Sequence, residues 1–301
     1  MAYACIDIGS NTTRLLVAEA SDDRLRELMT QRAFTSIGSA VSRGRIAARK
    51  IAETAGVVAT QARLADALGA QEIAVVATSA IREAKNREEF ELAVAEESGL
   101  AVRVLSEDEE ARLAFLGATR SFSGPLDGAV AVVDVGGGST EIVVGTLADG
   151  VSWAESFRIG SGFLADSYLH SDPPAAAELT AARLHVAGTF EGLQIPAVLH
   201  AVATGGSANA LRRLIGAELV PETIDRALRV LRSGRAADVA GRFELDAERV
   251  RVMPAGALVF EDLSTRLDLP LHVCKGGVRE GVILDLLAGA TTMNGARRSD
   301  R

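Results

Sequence analysis

Cysteine is scarce in this chain, with Cys5 and Cys274 the only two among 301 residues. Two isolated thiols exclude a disulfide scaffold and a thiolate zinc site. Histidine is nearly as rare, and His170, His185, His200 and His272 show neither HxxxH nor HExxH spacing, which argues against imidazole-based metal chemistry. Long apolar runs are missing as well. The longest is the six residues Met1–Ile6, far short of the roughly 20 that a membrane span needs, so no membrane partner is expected. No charged-then-apolar leader opens the sequence, and a cytoplasmic location is expected. There is no basic excess: 40 acidic against 32 basic side chains give a net charge of −8, which argues against nucleic acid as a partner. What remains, 48% apolar and 24% charged residues, is the composition of an ordinary globular protein, long enough for two domains of roughly 150 residues.

The most informative positive feature is an internal repeat. Cys5-Ile6-Asp7-Ile8-Gly9-Ser10-Asn11-Thr12-Thr13 reads apolar, apolar, Asp, β-branched, Gly, small, any, Thr, Thr. Val132-Val133-Asp134-Val135-Gly136-Gly137-Gly138-Ser139-Thr140 follows the same pattern 127 residues later. Each copy ends one predicted strand and precedes another, Leu15–Ala18 and Ile142–Gly145. Two strand–turn–strand units of one pattern predict two similarly built domains that face each other. The rest alternates strands and helices, the α/β signature. Helices are predicted over about 46–68, from 106 to about 117, and over 205–215, 221–232, 246–262 and about 278–288. Strands are predicted at 73–77, 102–105, 198–203 and 271–274. Ser121–Gly128, polar and containing Pro125, is the linker, so the domains read as residues 1–121 and 122–301, with the last helix packing back onto the first. The tail Thr291–Arg301 lacks apolar periodicity and is expected to fray.

Successive backbone N–H groups in a glycine turn converge into an anion-binding concavity, and Ser10, Thr12, Thr13, Ser139 and Thr140 add hydroxyl donors. Neither turn carries a Walker lysine, and neither is followed by the helix of a dinucleotide fold. Asp134 and Glu141 flank the second turn, where two carboxylates and phosphate oxygens suit Mg²⁺. Glu110 has Leu113, Ala114 and Gly117 as its helical neighbours, so it projects along a packed face, where desolvation can raise its pKa and let it accept a proton from water. Its neighbours Glu107, Asp108 and Glu109 suit the helix start, with Ser106 and Glu109 forming a capping box. Arg82, one turn into the helix after Ala77-Thr78-Ser79, can fork onto phosphate or join a surface network with Glu83 or Asn86. Thr204-Gly205-Gly206-Ser207 and Gly276-Gly277-Val278-Arg279 are further glycine turns, suited to an anion or to close helix packing. Arg43, Arg45, Arg49 and Lys50 form the densest basic cluster, either an anion guide or a solvated helix face.

Taken together, these residues resemble the Ppx/GppA phosphatase family of exopolyphosphatases and guanosine pentaphosphate phosphohydrolases, within the actin/Hsp70/sugar-kinase superfamily. The resemblance covers roughly residues 3–288. It rests on Asp7-Ile8-Gly9-Ser10-Asn11, Ala77-Thr78-Ser79-Ala80-Ile81-Arg82, Glu109-Glu110-Ala111-Arg112-Leu113 and Asp134 through Glu141. It continues in Ala203-Thr204-Gly205-Gly206-Ser207, Met253-Pro254-Ala255-Gly256-Ala257 and Val278-Arg279-Glu280-Gly281. It implies an α/β fold of two actin-like, ribonuclease H-like (ASKHA superfamily) domains with an interdomain cleft, and a homodimer. It makes Glu110 the general base and associates Asp134 and Glu141 with the metal, read here as Mg²⁺ (Mn²⁺ as a substitute) with Asp7 as an outer-shell ligand. Asn11, Thr12, Arg82, Gly137, Gly138, Ser139, Thr140, Gly205, Gly206, Ser207, Lys275 and Arg279 are the substrate-holding set.

The implied reaction removes the terminal phosphoryl group of inorganic polyphosphate, with guanosine pentaphosphate as the alternative substrate. Longer members carry extra helical domains after the second actin-like domain, so short chains are the expected substrate. Cys274-Lys275-Gly276-Gly277 stands where relatives often read small-acidic-variable-Gly, so Lys275 puts a basic residue at the acidic position, and Thr35–Val41 lacks an arginine they often carry. An ATP-dependent kinase of the same superfamily, with a nucleotide seat near Ala203–Asn209, and a non-catalytic alarmone sensor are the rival readings.

Overall fold

The computed structural model describes residues 1–21, 24–38, 41–42 and 44–299, with side chains described up to Gly289, Arg24 and Ser42 excepted. In chain order the first unit runs β1 (Ala2–Ile8), β2 (Thr12–Ser21), β3 (Arg24–Phe34), β4 (Val41–Ser42), β5 (Arg45–Ile46) and α1 (Ala48–Ala67). It continues with β6 (Ala70–Ala77), α2 (Ser79–Arg82), α3 (Arg87–Ser98), β7 (Val102–Val104) and α4 (Glu107–Ser121). The second unit holds β8 (Val130–Val135), β9 (Thr140–Thr146), β10 (Gly150–Phe157), α5 (Ser161–Tyr168), α6 (Ala176–Thr189) and β11 (His200–Thr204). After these come α7 (Gly205–Ile215), β12 (Glu218–Leu219), α8 (Pro221–Leu231), α9 (Ala236–Phe243), α10 (Ala247–Leu267) and β13 (Leu271–Val273), and the chain closes with α11 (Val278–Ser299).

The repeat read from the sequence is a repeat of topology. The first sheet has the order β3-β2-β1-β6-β7, and the second has β10-β9-β8-β11-β13 with β12 added at its edge. In each, an antiparallel meander of three strands is followed by parallel strands reached through helices. This is the ribonuclease H-like, actin-type arrangement. The central strands β1 and β8 are almost wholly buried, as their apolar sequences, interrupted only by Asp7 and Asp134, require. Period 2 then sorts their residues: Ala2, Ala4, Ile6 and Ile8 join the core that includes α1 and α3, while Tyr3 and Cys5 face the helices on the other side. Asp7 continues the Tyr3–Cys5 face. In β8, Ala131, Val133 and Val135 enter the large second core, and Asp134 lies on the opposite face with Val130 and Val132.

The sequence reading assigns 122–301 to the second domain, with the last helix packing back onto the first. The structure groups Gly276–Arg301 with Met1–Ser121 and ends the second unit at Lys275. The reason is the apolar stripe of α11: Val282 and Ile283 are buried with Tyr3, Cys5, Leu16, Val76 and Leu113 of the first unit. The same helix continues to Ser299, past the predicted end near 288 and through most of the tail expected to fray; residues 300–301 lie outside the described residues. Glycine makes the α4–α11 contact close. A Cβ at Gly117 would overlap the Gly277 carbonyl oxygen, and one at Gly281 the Leu113 carbonyl oxygen. Here glycine serves close helix packing.

Candidate active site

The two repeated turns share one hydrogen-bond scheme. Gly9 N–H donates to the Thr12 carbonyl at 3.0 Å, and Gly136 N–H to the Ser139 carbonyl at 3.0 Å. Around them the cross-strand rows differ in charge. In the second unit, Thr204, Asp134, Glu141 and Ser156 stand side by side on β11, β8, β9 and β10. In the first unit, the same row on β6, β1, β2 and β3 reads Val76, Asp7, Arg14 and Arg32. One frame thus carries two adjacent carboxylates in one copy and a carboxylate beside arginine in the other.

Asp134 and Glu141 are direct antiparallel partners, so their side chains leave the same face of the sheet. Glu141 is buried and accepts a hydrogen bond from Ser156 Oγ at 3.1 Å. The turn between them is braced from below. Ser161 donates from its backbone N–H (2.9 Å) and Oγ (3.1 Å) to the Gly136 carbonyl, and the Gly162 and Phe163 amides donate to the Gly137 carbonyl at 2.9 Å each. A Cβ at Gly160 would lie 2.5 Å from Gly137 C and Gly138 N, so Gly160 must lack one. Thr140 Oγ1 donates to the Ile159 carbonyl. That bond makes Thr140 a structural anchor of the turn, whereas Gly137 and Gly138 remain half-buried and Ser139 is buried at its tip.

Two carboxylates on adjacent strands are a hard-oxygen donor pair of the kind Mg²⁺ takes together with phosphate oxygens and water. Among the described residues no group of three or more His, Cys, Asp or Glu side chains is arranged to enclose an ion. Asp7 offers a related chemistry: its Oδ1 is enclosed and, among the described residues, has no hydrogen-bond partner. Burial pushes the Asp7 carboxyl up, against the guanidinium groups of Arg279 and Arg14. Burial likewise pushes the neighbouring Cys5 thiol well up.

The helix α4 separates its acids clearly. Ser106 N–H donates to Glu109 Oε2 at 3.0 Å and Glu109 N–H donates to Ser106 Oγ at 3.2 Å, the reciprocal capping box the sequence predicts. The Arg103 hydrogen bond first, then the Ser106 amide, hold the Glu109 carboxyl down at about 2. Glu110 points elsewhere. It is buried, and Arg82 NH1 reaches its Oε2 at 2.8 Å while also donating to the Leu105 carbonyl at 2.9 Å. The Glu107 carboxylate lies 3.8 Å from Arg82 NH2 and is two-thirds exposed. The guanidinium offsets the cost of burying the Glu110 charge and fixes its orientation.

Among the described residues Arg82 turns to α4, to Glu110 and Glu107. Asn86 instead brackets Ile46, accepting from its N–H at 2.9 Å and donating to its carbonyl at 3.0 Å. The α2 start is also tied to the first turn, with Ser10 Oγ and Ser79 Oγ 3.5 Å apart. Asn11 and Thr12 are half-buried on that turn, and Asn11 accepts from Ser36 through its backbone carbonyl (2.9 Å) and Oδ1 (3.3 Å).

Gly205, with φ +88°, adopts a conformation that favours glycine, and a Cβ there would overlap the Asp134 carboxylate. Ser207 is fully buried against Gly256 of α10. Arg279 is buried, donates to the Leu15 carbonyl at 3.4 Å and lies 3.8 Å from the Glu280 carboxylate. Its place beside Asp7 makes it a countercharge within the first unit. Lys275 is exposed. In the basic cluster Arg45 pairs with Glu89 (2.6 Å) and Lys50 with Glu53 (2.9 Å), with Arg49 3.5 Å from Glu53; Arg43 lies outside the described residues.

Two arginines escape a motif reading. Arg14 occupies the position that carries Glu141 in the other copy, a signal available by aligning the two turns. Arg249 of α10 is buried, with its guanidinium 2.8–3.0 Å from where a Cβ of Gly206 would be. Its signal is helical spacing: Arg249 shares a stripe with Met253, Gly256 and Phe260, a charge on an otherwise apolar face.

Two sheets of one topology, each with an aspartate and a glycine turn at the same place, define an α/β protein of the actin-like class. Comparison with known proteins narrows the class. The model of the Ppx/GppA phosphatase family matches residues 16–290, and the chain belongs to that family of hydrolases acting on phosphoanhydride bonds. It is 32% identical over 316 aligned positions to exopolyphosphatase 2 of Mycobacterium tuberculosis, covering 95% of this chain and 97% of that protein. Exopolyphosphatase 1 of Mycobacterium leprae is 29% identical over 94% of this chain and 89% of its own length. Among solved structures, the Aquifex aeolicus member of the family superposes with a TM-score of 0.80 at 30% identity, covering 96% of this chain and 98% of that one. Among the described residues no helix is long and apolar enough to cross a membrane.

Proposed function

We propose that the protein hydrolyses the terminal phosphoanhydride bond of short inorganic polyphosphate chains, with Mg²⁺ as its metal and Mn²⁺ as a substitute. The observation that carries this reading is the buried Glu110 carboxylate clamped by Arg82. Support comes also from the names and near-equal length of the mycobacterial exopolyphosphatases. Glu110 orients a water molecule and takes its proton. The water oxygen bonds to the terminal phosphorus as the bridging P–O bond breaks, leaving orthophosphate and a chain one unit shorter. Phosphoryl transfer of this kind depends mainly on positioning and charge stabilisation. The glycine-turn amides, Asn11, Thr12, Ser139 and the remaining donors of Arg82 hold phosphoryl oxygens. Asp134 and Glu141 would hold Mg²⁺, which supplies positive charge to those oxygens.

The test compares initial rates of phosphate release from tripolyphosphate, a long polyphosphate and guanosine pentaphosphate with Mg²⁺ present. Tripolyphosphate is expected to be turned over fastest, by about tenfold or more in kcat/KM, which corresponds to about 1.4 kcal/mol of discrimination. A faster rate on guanosine pentaphosphate would replace the polyphosphate reading, and a faster rate on the long polymer would overturn the preference for short chains. Production of ADP from ATP and an acceptor, without phosphate release, would make the protein a kinase.

A further inference from the structure

We infer that Arg249 is a positioning residue of the catalytic centre: its guanidinium locks the Gly205–Gly206 turn and, through it, the Asp134 carboxylate. The inference rests on the phosphohydrolase reading above only for its kinetic consequence.

The argument starts with an expensive group. A guanidinium is never deprotonated in a protein, and burying it without compensation is strongly unfavourable. Arg249 is only 7% exposed. It projects from α10 onto the first turn of α7, with NH2, NH1 and Cζ at 2.8, 2.9 and 3.0 Å from the Cβ that Gly206 does not have. The adjacent Gly205 is approached by Asp134 Oδ1 in the same way, and Val135 O lies 3.0 Å from its missing Cβ. A carboxylate and a guanidinium therefore close on neighbouring glycines of one turn.

The sign of the charges gives this arrangement its purpose. The start of α7 presents unsatisfied N–H groups and the positive end of the helix dipole. Adding a buried cation there favours negative charge beside the turn, and the Asp134 carboxylate is the anion that the fold supplies. One helical stripe of α10 does both jobs. Arg249 covers Gly206, and seven residues on Gly256 sits against Ser207, where a Cβ would lie 2.7 Å from the Ser207 Cβ. The neighbouring Arg251 has an ordinary surface role, pairing with Asp166 at 2.9 Å and 44% exposed.

Hydrogen exchange followed residue by residue on the full chain tests this without recourse to activity. Arg249→Gln is expected to speed exchange of the amides at 205–208 by about tenfold or more and to leave 211–215 within about twofold. Arg249→Lys, which keeps the charge but not the fork, is expected to show a smaller acceleration and secures the test if the glutamine variant folds poorly. In kinetics, Arg249→Gln lowers kcat by about 30-fold with KM changed by less than about threefold, and raises the Mg²⁺ concentration for half-maximal rate by about fivefold. Arg251→Gln changes none of these. Unchanged exchange at 205–208, or acceleration spread evenly over the second unit, would overturn the assignment. If the wild-type chain releases no phosphate, the functional reading fails, and the exchange result still decides the role of Arg249.

Discussion

Glu110→Gln is expected to lower kcat on tripolyphosphate by about 10²–10⁴, with KM within about threefold of the wild type. The amide keeps the size of the carboxylate, and its oxygen still accepts from Arg82, so the side chain stays in place. What it loses is the ability to take a proton from water. Pairing with Arg82 does not exhaust the group, because a carboxylate offers about four lone-pair directions. Glu109→Gln is the matched control one residue away. It removes a charge from the exposed helix cap and leaves kcat unchanged. A loss below tenfold for Glu110→Gln would assign proton abstraction to some other residue.

The second large effect is on stability. Gly281→Ala is expected to destabilise the chain by about 2–4 kcal/mol, the upper end for overpacked core sites, because the clash is with backbone. The new methyl would overlap the Leu113 carbonyl oxygen and lie 2.7 Å from its carbon and 3.0 Å from its Cα. All three atoms are backbone of α4, so no side chain can swing aside; the helices must separate. At roughly 2–4 °C per kcal/mol for a domain of this size, the melting temperature falls by about 4–16 °C. The Arg112–Asp285 fork across the same seam, at 3.0 and 3.1 Å but well exposed, adds about 1 kcal/mol at most and cannot compensate. Because α4 carries Glu110, activity is expected to fall along with stability. Gly289→Ala in the same helix meets nothing within 4 Å and is expected to be neutral or stabilising by about 0.5–1 kcal/mol. Equal melting temperatures for the two variants would contradict the close-packed seam.

Much of this architecture can be read from the sequence, and the gaps have physical causes. The repeated Asp-x-Gly turns are legible because a tight bend, an acid and hydroxyls impose residue types directly. The meander's outer strands β3 and β10 are not. Arg24, Arg26, Glu27 and Arg32 interrupt the first, and the second reads Gly-Val-Ser-Trp-Ala-Glu-Ser-Phe, because each lies at a sheet edge where one face meets solvent. The stripe of α11 announces a helix, and its return to the first domain is expected, but Val282 and Ile283 alone would suit either core. That choice is made by Gly277 and Gly281 against α4, a complementarity of shape that hydrophobic pattern does not encode. Glu110 and Arg82 are legible as a carboxylate on a packed face and an arginine at a strand end. Their mutual pairing emerges only when β6 and α4 are placed in one unit. Arg249 shows the opposite case, in which helical spacing contains the signal and the glycine motifs do not.

Hydrolysis of tripolyphosphate in ¹⁸O-enriched water tests the central claim most directly. Attack by a Glu110-activated water on the terminal phosphorus places one solvent oxygen in each orthophosphate released at the first turnover, and none in the pyrophosphate left behind. Unlabelled orthophosphate with label in the pyrophosphate would mean attack at the inner phosphorus, and would contradict the mechanism.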